Sequence, residues 1–304
     1  MLPLVLIHPQ PDPVALHLGP IQAHWYGLMY LLAFAVAFAL AWYRTNLKSY
    51  GGRPDWNTDM VADLVFFGAM GVILGGRIGY VLFYEFGEFL ANPMYLFKVN
   101  QGGMSFHGGF LGVVIAMLLF SRKYKKPIFN VLDFIAPCVP TGLFFGRIGN
   151  FINGELWGRV SEGGYNWLML FPQAAKADYE MLQQNPALQS IAVNVNNQLL
   201  LPRHPSQFYQ AFTEGVVLFI LLWWFASKPR PRMAVSGLFV LGYGVARFTT
   251  EFFRQPDADQ GFILFGWMTK GQILSFPMVI AGLIMLVLAY KHQIYDWGSQ
   301  KNVD

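Results

Sequence analysis

Long apolar stretches separated by short polar segments dominate this chain of 304 residues. A helix that crosses a membrane needs about 20 mostly apolar residues in a row. About seven stretches meet this requirement, over residues 22–42, 60–84, 105–121, 131–149, 208–226, 233–252 and 270–290. The pattern therefore predicts an all-α polytopic integral membrane protein of about seven transmembrane helices.

The segments outside these spans divide the chain further. Residues 1–21 have no basic start, and prolines and histidines interrupt them, so we expect an interfacial arm and not a cleaved signal peptide. Residues 22–153 then hold spans one to four, residues 208–290 hold spans five to seven, and residues 291–304 form a tail. The long connection at 154–207 is predicted to be a small inserted subdomain, in which residues 183–202 favour a hairpin or a short helix.

Composition supports a membrane protein and excludes several function classes. Only 12% of the residues are charged and 55% are hydrophobic, whereas soluble domains are about one quarter charged. The 31 glycines are typical of spans that pack closely together. The single cysteine, Cys138, excludes an internal disulfide or a multi-cysteine metal site. The chain has no extended basic face, so we expect no nucleic acid partner.

The distribution of lysine and arginine predicts the orientation of the spans. One alternating set of short loops, at 44–53, 122–126, 228–232 and 291–301, holds most of the basic residues. The other set holds fewer, although its loops are longer. Short basic loops remain in the cytoplasm, so the N-terminus is expected outside and the C-terminus inside. The 154–207 insert is then external.

Polar residues within or beside the predicted spans gather at the external level. A charge inside a span costs about 2.5–3.5 kcal/mol on insertion scales, so each one requires an explanation. The direction of each span places them at one depth: His24 and Tyr26; Arg77, Tyr80 and Tyr84; Ser105 and His107; Arg147, Asn150 and Asn153; His204 and Gln207; Tyr243, Arg247, Thr250, Glu251 and Arg254. Their convergence predicts a functional site facing the external side.

Several of these residues also have a purely structural interpretation. Arg77 near a helix end could extend its side chain to the interface, and Arg247 with Glu251 at i+4 could be a structural ion pair. Asp133 is expected to favour a helix start through the helix dipole. Glu214, in span five, is assigned no role.

The polar set as a whole suits a phosphate group. Guanidinium groups bind phosphate oxygens in pairs and stay charged at any accessible pH. A phosphate at the level of the membrane interface belongs most naturally to a phospholipid headgroup. Histidine is the side-chain type suited to a base near neutral pH, and His107 is the candidate for this role.

Five segments resemble the prolipoprotein diacylglyceryl transferases, bacterial enzymes that begin lipoprotein maturation. The segments are HWYGLMY (24–30), GGMSFHGGFLG (102–112), GRIGNFINGELWG (146–158), RHPSQFYQA (203–211) and GYGVARFTTEFFRQPD (242–257). The similarity covers essentially the whole chain in the family's order. Members of this family have seven spans with the N-terminus outside, which agrees with the topology predicted above.

The resemblance implies a reaction, its partners and a location. The diacylglyceryl group of phosphatidylglycerol moves to the lipobox cysteine thiol of a preprolipoprotein, a thioether forms, and glycerol phosphate leaves. No metal or organic cofactor is needed. The enzyme is expected in the bacterial inner membrane, surrounded by membrane lipids, with its active site facing the periplasm.

The same resemblance, combined with the local chemistry, suggests a role for each candidate. Arg147 and Arg247 are expected to hold the phosphate, and His107 to accept the thiol proton. Further residues are expected to bind substrate or to orient the arginines: Tyr26, Asn150, Asn153, Glu155, Gly158, Tyr243 and Glu251.

Two other functions fit parts of the pattern. A transporter or flippase for an anionic lipid would use the arginines to line an anion pathway. Such a function predicts polar residues in both membrane halves and often an internal repeat, whereas the inner halves here are nearly apolar and no repeat appears in the sequence. A different headgroup transferase would act on a small alcohol, and the long insert favours a peptide acceptor instead.

Overall fold

The computed structural model describes residues 6–19, 21–47, 52–98, 102–162, 167–256 and 261–296. Lys48, Asp257 and residues 297–304 of the predicted tail lie outside this range. The helices are α1 (Trp25–Asn46), α2 (Thr58–Tyr84), α3 (Phe86–Ala91), α4 (Phe106–Lys123), α5 (Ile128–Ile135), α6 (Val139–Ile152), α7 (Ala175–Gln184), α8 (Ser206–Gln210), α9 (Leu218–Phe225), α10 (Ala234–Thr250) and α11 (Lys270–His292). The fold is helical and polytopic.

Six helical segments of the described chain are long and apolar enough to cross a membrane. They are 25–46, 58–84, 106–123, 128–152, 206–225 and 270–292, and each corresponds to a predicted span. The remaining predicted span coincides with α10, which has 17 residues. The count of seven therefore stays a prediction.

Short strands accompany the helices, and three of them lie in or next to the predicted arm. Strands β2 (Val14–Leu18) and β3 (Ile21–His24) form an antiparallel hairpin. The first helix consequently begins at Trp25, a few residues later than predicted, because residues 21–24 are extended. Strand β1 (Leu6–Ile7) pairs in parallel with β4 (Met169–Leu170) of the insert.

The chain divides into two compact units, and the first holds residues 1–33, 139–224 and 237–287. Its insert contains a 3₁₀ helix at Pro186–Ser190 and a hairpin of β5 (Val193–Val195) with β6 (Gln198–Leu200). Both elements expected in residues 183–202 are thus present. A fully buried pair, Arg203 and Asp178, crosslinks the insert through hydrogen bonds of 2.5 and 2.8 Å.

The span at 206–225, also in this first unit, is not a regular α-helix. Between α8 and α9, residues Ala211–Val217 form a π-helix. Gly215 faces Phe144 of α6, and a Cβ at Gly215 would lie 2.7 Å from the Cβ of Phe144. Such wide turns inside α-helices often occur at functional sites. Here the wide turn carries the buried side chain of Glu214.

The second unit holds residues 34–138, 225–236 and 288–304. The ring of Trp56 stacks on Phe120 and Phe134, with centroid distances of 5.6 and 3.8 Å. Asp133 accepts hydrogen bonds from the backbone N–H groups of Met233 and Ser236, at 2.6 and 2.7 Å. It therefore caps α10 rather than its own helix, which corrects the interpretation made from the sequence.

Glycines allow α2 and α4 of the second unit to pack backbone against backbone. A Cβ on Gly75 would lie 2.4 Å from the carbonyl oxygen of Gly108, and one on Gly79 would lie 2.6 Å from the Cα of Gly108. Small residues permit this approach between membrane helices. The contact fixes the first turn of α4, which carries His107.

Arg77 anchors the segment that leads into α4. Its guanidinium donates to the carbonyl oxygens of Tyr95 and Gly102 at 2.6 Å and of Leu96 at 3.0 Å. The side chain is buried and lies over the Tyr95 ring. These contacts replace the interpretation of an arginine that extends to the interface, and they make Arg77 an organiser of this loop.

Candidate active site

Two arginines from different helices converge on one buried carboxylate in the first unit. Arg147 of α6 donates to Oε2 of Glu214 through Nε and Nη2, at 3.3 and 3.1 Å. Arg247 of α10 places Nη1 3.8 Å from the other carboxylate oxygen, Oε1. Glu214 is fully buried. The sequence predicted that Arg147 and Arg247 act together, and the structure brings them to a shared partner.

A second carboxylate, Glu251, extends this cluster. Arg247 Nη2 lies 2.9 Å from its Oε2, and Arg254 Nη1 lies 3.5 Å from its Oε1. The hydroxyl of Thr269 donates to Oε1 at 3.1 Å. The ion pair of Arg247 with Glu251 expected from the i+4 spacing is therefore present, but it belongs to a network joining several helices.

The charges of this cluster do not cancel. Three arginines, Arg147, Arg247 and Arg254, face two carboxylates, Glu214 and Glu251, which leaves a net charge of +1. Arg247 Nη1 is buried and donates no hydrogen bond within the described part of the chain. A buried N–H without an acceptor costs about 1–3 kcal/mol. The cluster therefore favours a bound anion that accepts hydrogen bonds.

Asn150 and Asn153 of the same unit share one partner. Both amides donate to Oε1 of Glu155, at 2.9 and 3.4 Å. The backbone oxygen of Glu155 in turn accepts from the side chain of Gln207 at 2.7 Å. Glu155 therefore holds the loop after α6.

Gly158 has a structural role at the end of α10. Its N–H donates to the carbonyl oxygen of His204 at 2.8 Å. A Cβ at this position would lie 2.3 Å from that oxygen. Only glycine fits between His204 and Phe253. Burial lowers the pKa of the His204 imidazole, and that ring is hydrogen-bonded to the hydroxyl of Tyr209 at 3.1 Å.

Two predicted tyrosines lie in the same unit. Tyr243 stacks on Phe239 and interacts electrostatically with Arg147, Arg247 and Glu214. Tyr26, at the start of α1, is partly exposed, and its hydroxyl lies 3.5 Å from that of Tyr30. Both tyrosines therefore belong to the unit that holds the arginine–glutamate cluster.

His107 belongs to the second unit. It is exposed in the first turn of α4, where Ser105 caps the helix by accepting from the backbone N–H of Gly108 at 3.2 Å. Its ring contacts Phe106 edge to face.

Comparison with known proteins assigns the chain to a family. A model described as prolipoprotein diacylglyceryl transferase matches residues 13–288. The chain belongs to this family. It is 70% identical to the phosphatidylglycerol–prolipoprotein diacylglyceryl transferase of Psychrobacter arcticus, over 97% of this chain and 99% of that protein. Proteins of the same name from Acinetobacter baumannii and Acinetobacter baylyi are 62% and 60% identical, over 98% of this chain and 99–100% of theirs.

For this family member, sequence reasoning missed the residue that joins the two arginines. Glu214 stood out as an acid in an apolar span, and that signal could have marked it as a partner for the arginines. The π-helix that presents it has no sequence signature. Gln210, fully buried in α8 with no hydrogen bond from its amide in the described residues, was also not predicted.

Proposed function

We propose that this protein transfers the diacylglyceryl group of phosphatidylglycerol to the lipobox cysteine of a prolipoprotein, the first step of bacterial lipoprotein maturation. Membership of the transferase family and the names of its relatives support this reaction. The observation that carries the chemistry is the convergence of Arg147 and Arg247 on Glu214 in a cluster with one unbalanced positive charge.

The charge of the lipid fits this cluster. A phosphodiester carries one negative charge, which equals the net charge of the arginine–glutamate cluster. During transfer, the thiolate attacks the terminal glycerol carbon of the diacylglyceryl group, a C–S bond forms, and the C–O bond to phosphate breaks. The negative charge of the thiolate thus moves to the departing glycerol phosphate. The two guanidinium groups would stabilise this developing charge.

The remaining candidate residues would position the lipid. Glu214 and Glu251 orient the arginines through the ion pairs described above, while Tyr243 and Tyr26 would donate to the headgroup. Asn150, Asn153 and Glu155 hold the loop after α6, and Gly158 keeps the end of α10 in place.

We assign the thiol proton to His107. A free cysteine has a pKa near 8.5, so a base raises the fraction of the reactive thiolate at neutral pH. The imidazole would take this proton and later release it to solvent. We expect His107→Gln to reduce single-turnover transfer most strongly below pH 8, where less thiolate forms unaided. Near-normal transfer by this variant across pH 6–9 would exclude the base role.

The direct test of the reaction uses labelled phosphatidylglycerol and a lipobox peptide. The purified protein in detergent should attach the label to the peptide through a bond that resists hydroxylamine, as thioethers do and thioesters do not. A peptide with serine in place of the cysteine serves as the matched control. Label on the serine peptide, or none on the cysteine peptide, would refute the proposed reaction.

We further propose that the active site faces the periplasm of a bacterial inner membrane, with seven spans, the N-terminus outside and the C-terminus inside. The basic short loops support this orientation. In a background with Cys138 replaced, single cysteines at Glu180 and at Arg122 should react with an impermeant maleimide on opposite sides. Labelling of Arg122→Cys and not Glu180→Cys in intact spheroplasts would reverse the orientation.

A further inference from the structure

A second basic site lies in the second unit, where none of the catalytic arginines is found. Its cavity is lined by Arg44, Arg53, Asp133, Ala226, Lys228, Arg230, Arg232, Val235 and Asp296. The five basic residues lie in two of the short basic loops, at 44–53 and 228–232. No part of the proposed reaction uses this cavity.

The floor of the cavity is rigid. Arg44 donates to the carbonyl oxygen of Phe134 at 2.6 Å. Arg53 binds both oxygens of Asp55 at 2.8 Å and the amide oxygen of Asn130 at 3.0 Å. Both arginine side chains are buried. Their positive charges are therefore held in place before any ligand arrives.

The rim of the cavity is formed by the loop between α9 and α10. Arg232 binds the carboxylate of Asp296, with Nε 2.9 and 3.0 Å from its two oxygens. Arg230 donates through Nε to the carbonyl oxygen of Phe225 at 2.9 Å and stacks on the ring of Phe225 at 4.1 Å. Lys228 is exposed. Pro229 and Pro231 alternate with these basic residues and restrict the loop.

The cavity has a large excess of positive charge. Five basic and two acidic side chains line it, which gives +3. The nearby Asp55 does not reduce this excess, because Lys126 also pairs with Asp55, at 3.1 Å. Asp133 accepts three hydrogen bonds from Met233 and Ser236, and its single charge is already included in this sum. Concentrated fixed charge of this kind is repulsive unless an anion occupies it.

We propose that this cavity binds a phosphate group, either on the headgroup of an anionic lipid or on a soluble phosphate compound. Basic pockets between membrane helices on the side of the short basic loops are suited to phosphorylated headgroups. Arginine forks and an exposed lysine at the rim match the oxygens of a phosphate. Apolar Ala226 and Val235 in the wall would tolerate the first carbons of a lipid glycerol.

Two probes distinguish the sources of the phosphate. Inorganic phosphate is titrated against the protein in detergent, with chloride at equal ionic strength as the control. In parallel, the protein is placed in phosphatidylcholine nanodiscs with or without phosphatidic acid, an anionic lipid that the transfer reaction does not use. A bound anion raises the unfolding temperature through preferential binding to the folded state. Stabilisation by phosphate alone identifies a soluble ligand, and stabilisation by phosphatidic acid identifies a lipid.

Charge removal at the rim shows where the anion binds. Lys228→Gln with Arg230→Gln should weaken phosphate binding about tenfold or more. The matched control, Arg122→Gln with Lys125→Gln, removes two exposed charges from another short basic loop and should bind like the unaltered protein. If the double variant does not fold, because Arg230 has lost its contacts with Phe225, Lys228→Gln is tested alone. This single variant should also weaken phosphate binding.

The proposal fails if neither probe stabilises the protein more than its control does. It also fails if the Lys228 and Arg230 variants show the same anion-induced rise in unfolding temperature as the unaltered protein. The anion would then bind elsewhere, for example at Arg147 and Arg247. If the rim variants and the Arg122 and Lys125 control lose equal amounts of this stabilisation, the effect of charge is general. That result would also overturn the proposal. Transfer to the lipobox peptide is measured separately and is not a readout of this site.

Discussion

Arg147, Arg247 and Glu214 form the smallest arrangement that explains the chemistry proposed for this protein. The two arginines were predictable because charged residues in apolar spans stand out and because both lie in recognisable motifs. Their common partner, Glu214, stood out in the sequence as an acid in an apolar span, but its contact with the arginines could not be predicted. The depth and the rotation of a side chain depend on the local helix geometry. The π-helix around Glu214 sets both.

Arg147→Lys tests whether the shape of the guanidinium matters beyond its charge. Arg147 reaches Glu214 through two nitrogen atoms, and the same planar group suits two phosphate oxygens. A lysine keeps the charge but offers a single point of contact. We expect most of the transfer activity to disappear, by about 100-fold. A lysine variant with full activity in the lipobox peptide assay would rule out a paired contact with phosphate.

Glu214→Gln tests whether the shared carboxylate positions the arginines. The change raises the net charge of the cluster from +1 to +2, so the lipid should bind at least as well and KM should not rise. The guanidinium groups lose their common anchor, and misplacement near 1 Å can cost about 100-fold in kcat. Glu180→Gln, an exposed carboxylate of α7, is the control. If kcat is unchanged while KM increases, Glu214 does not position the arginines.

At the scale of elements, the glycine contact between α2 and α4 determines where the first turn of α4 lies. Glycines were expected from composition to allow close packing, but composition could not say which pairs meet. In the structure, Gly75 and Gly108 face each other with no room for a methyl group. The same contact supports the turn that carries His107.

Gly75→Ala should therefore destabilise the protein by about 1–3 kcal/mol through overpacking. Gly87→Ala in α3 is the matched control, because no atom lies within 4 Å of a Cβ at that position. Alanine also has the higher helix propensity, so the control should unfold at an equal or higher temperature. Thermal unfolding in detergent measures both variants. An unchanged unfolding temperature for Gly75→Ala would mean that α2 and α4 can move apart without loss of stability.

The N-terminal arm is attached to α6 and to the insert through a histidine. His8 donates through Nε2 to the carbonyl oxygen of Phe151 at 2.6 Å, and its Nδ1 accepts from the N–H of Gln10 at 3.1 Å. Gln173 also contacts Nδ1, at 3.2 Å. A proton on Nδ1 would face the N–H of Gln10 directly. Burial lowers the pKa of His8 below its ordinary value of 6.5, although the hydrogen bond to Phe151 opposes this shift.

The docking of the arm should consequently depend on pH. Because the folded-state pKa is lowered, the stabilisation by neutral His8 is complete above pH 6.5 and is lost as the pH falls through the lower folded value. The protection factors of the Leu6 and His8 amides, which pair with the insert, should fall in that range, after correction for the intrinsic pH dependence of amide exchange. His8→Asn should abolish the pH dependence, whereas His17→Asn, an exposed position, should keep it. Equal pH profiles for the two variants would contradict the assignment.

At the scale of the whole molecule, hydrophobic patterning predicted the helical, polytopic architecture well. Six predicted spans coincide with helices long enough to cross a membrane. The hairpin at residues 14–24 was missed, although Gly19 and Pro20 signal a turn, because its apolar residues were assigned to an arm and a span. Similarly, the contacts of Arg77 with Tyr95 and Gly102 could not be predicted, since they depend on how the loop before α4 folds back.

The π-helix at residues 211–217 has a consequence for how this span can change. A π-turn holds an additional residue compared with an α-turn, so deleting one residue there would let the segment close as a regular α-helix. The segment would still be long and apolar enough to insert. Because the π-turn absorbs the additional residue within one turn, the two halves would keep nearly the same rotation relative to each other, and only the turn that carries Glu214 would be rebuilt. A single-residue deletion would thus leave insertion into the bilayer intact while displacing the carboxylate that joins the two arginines.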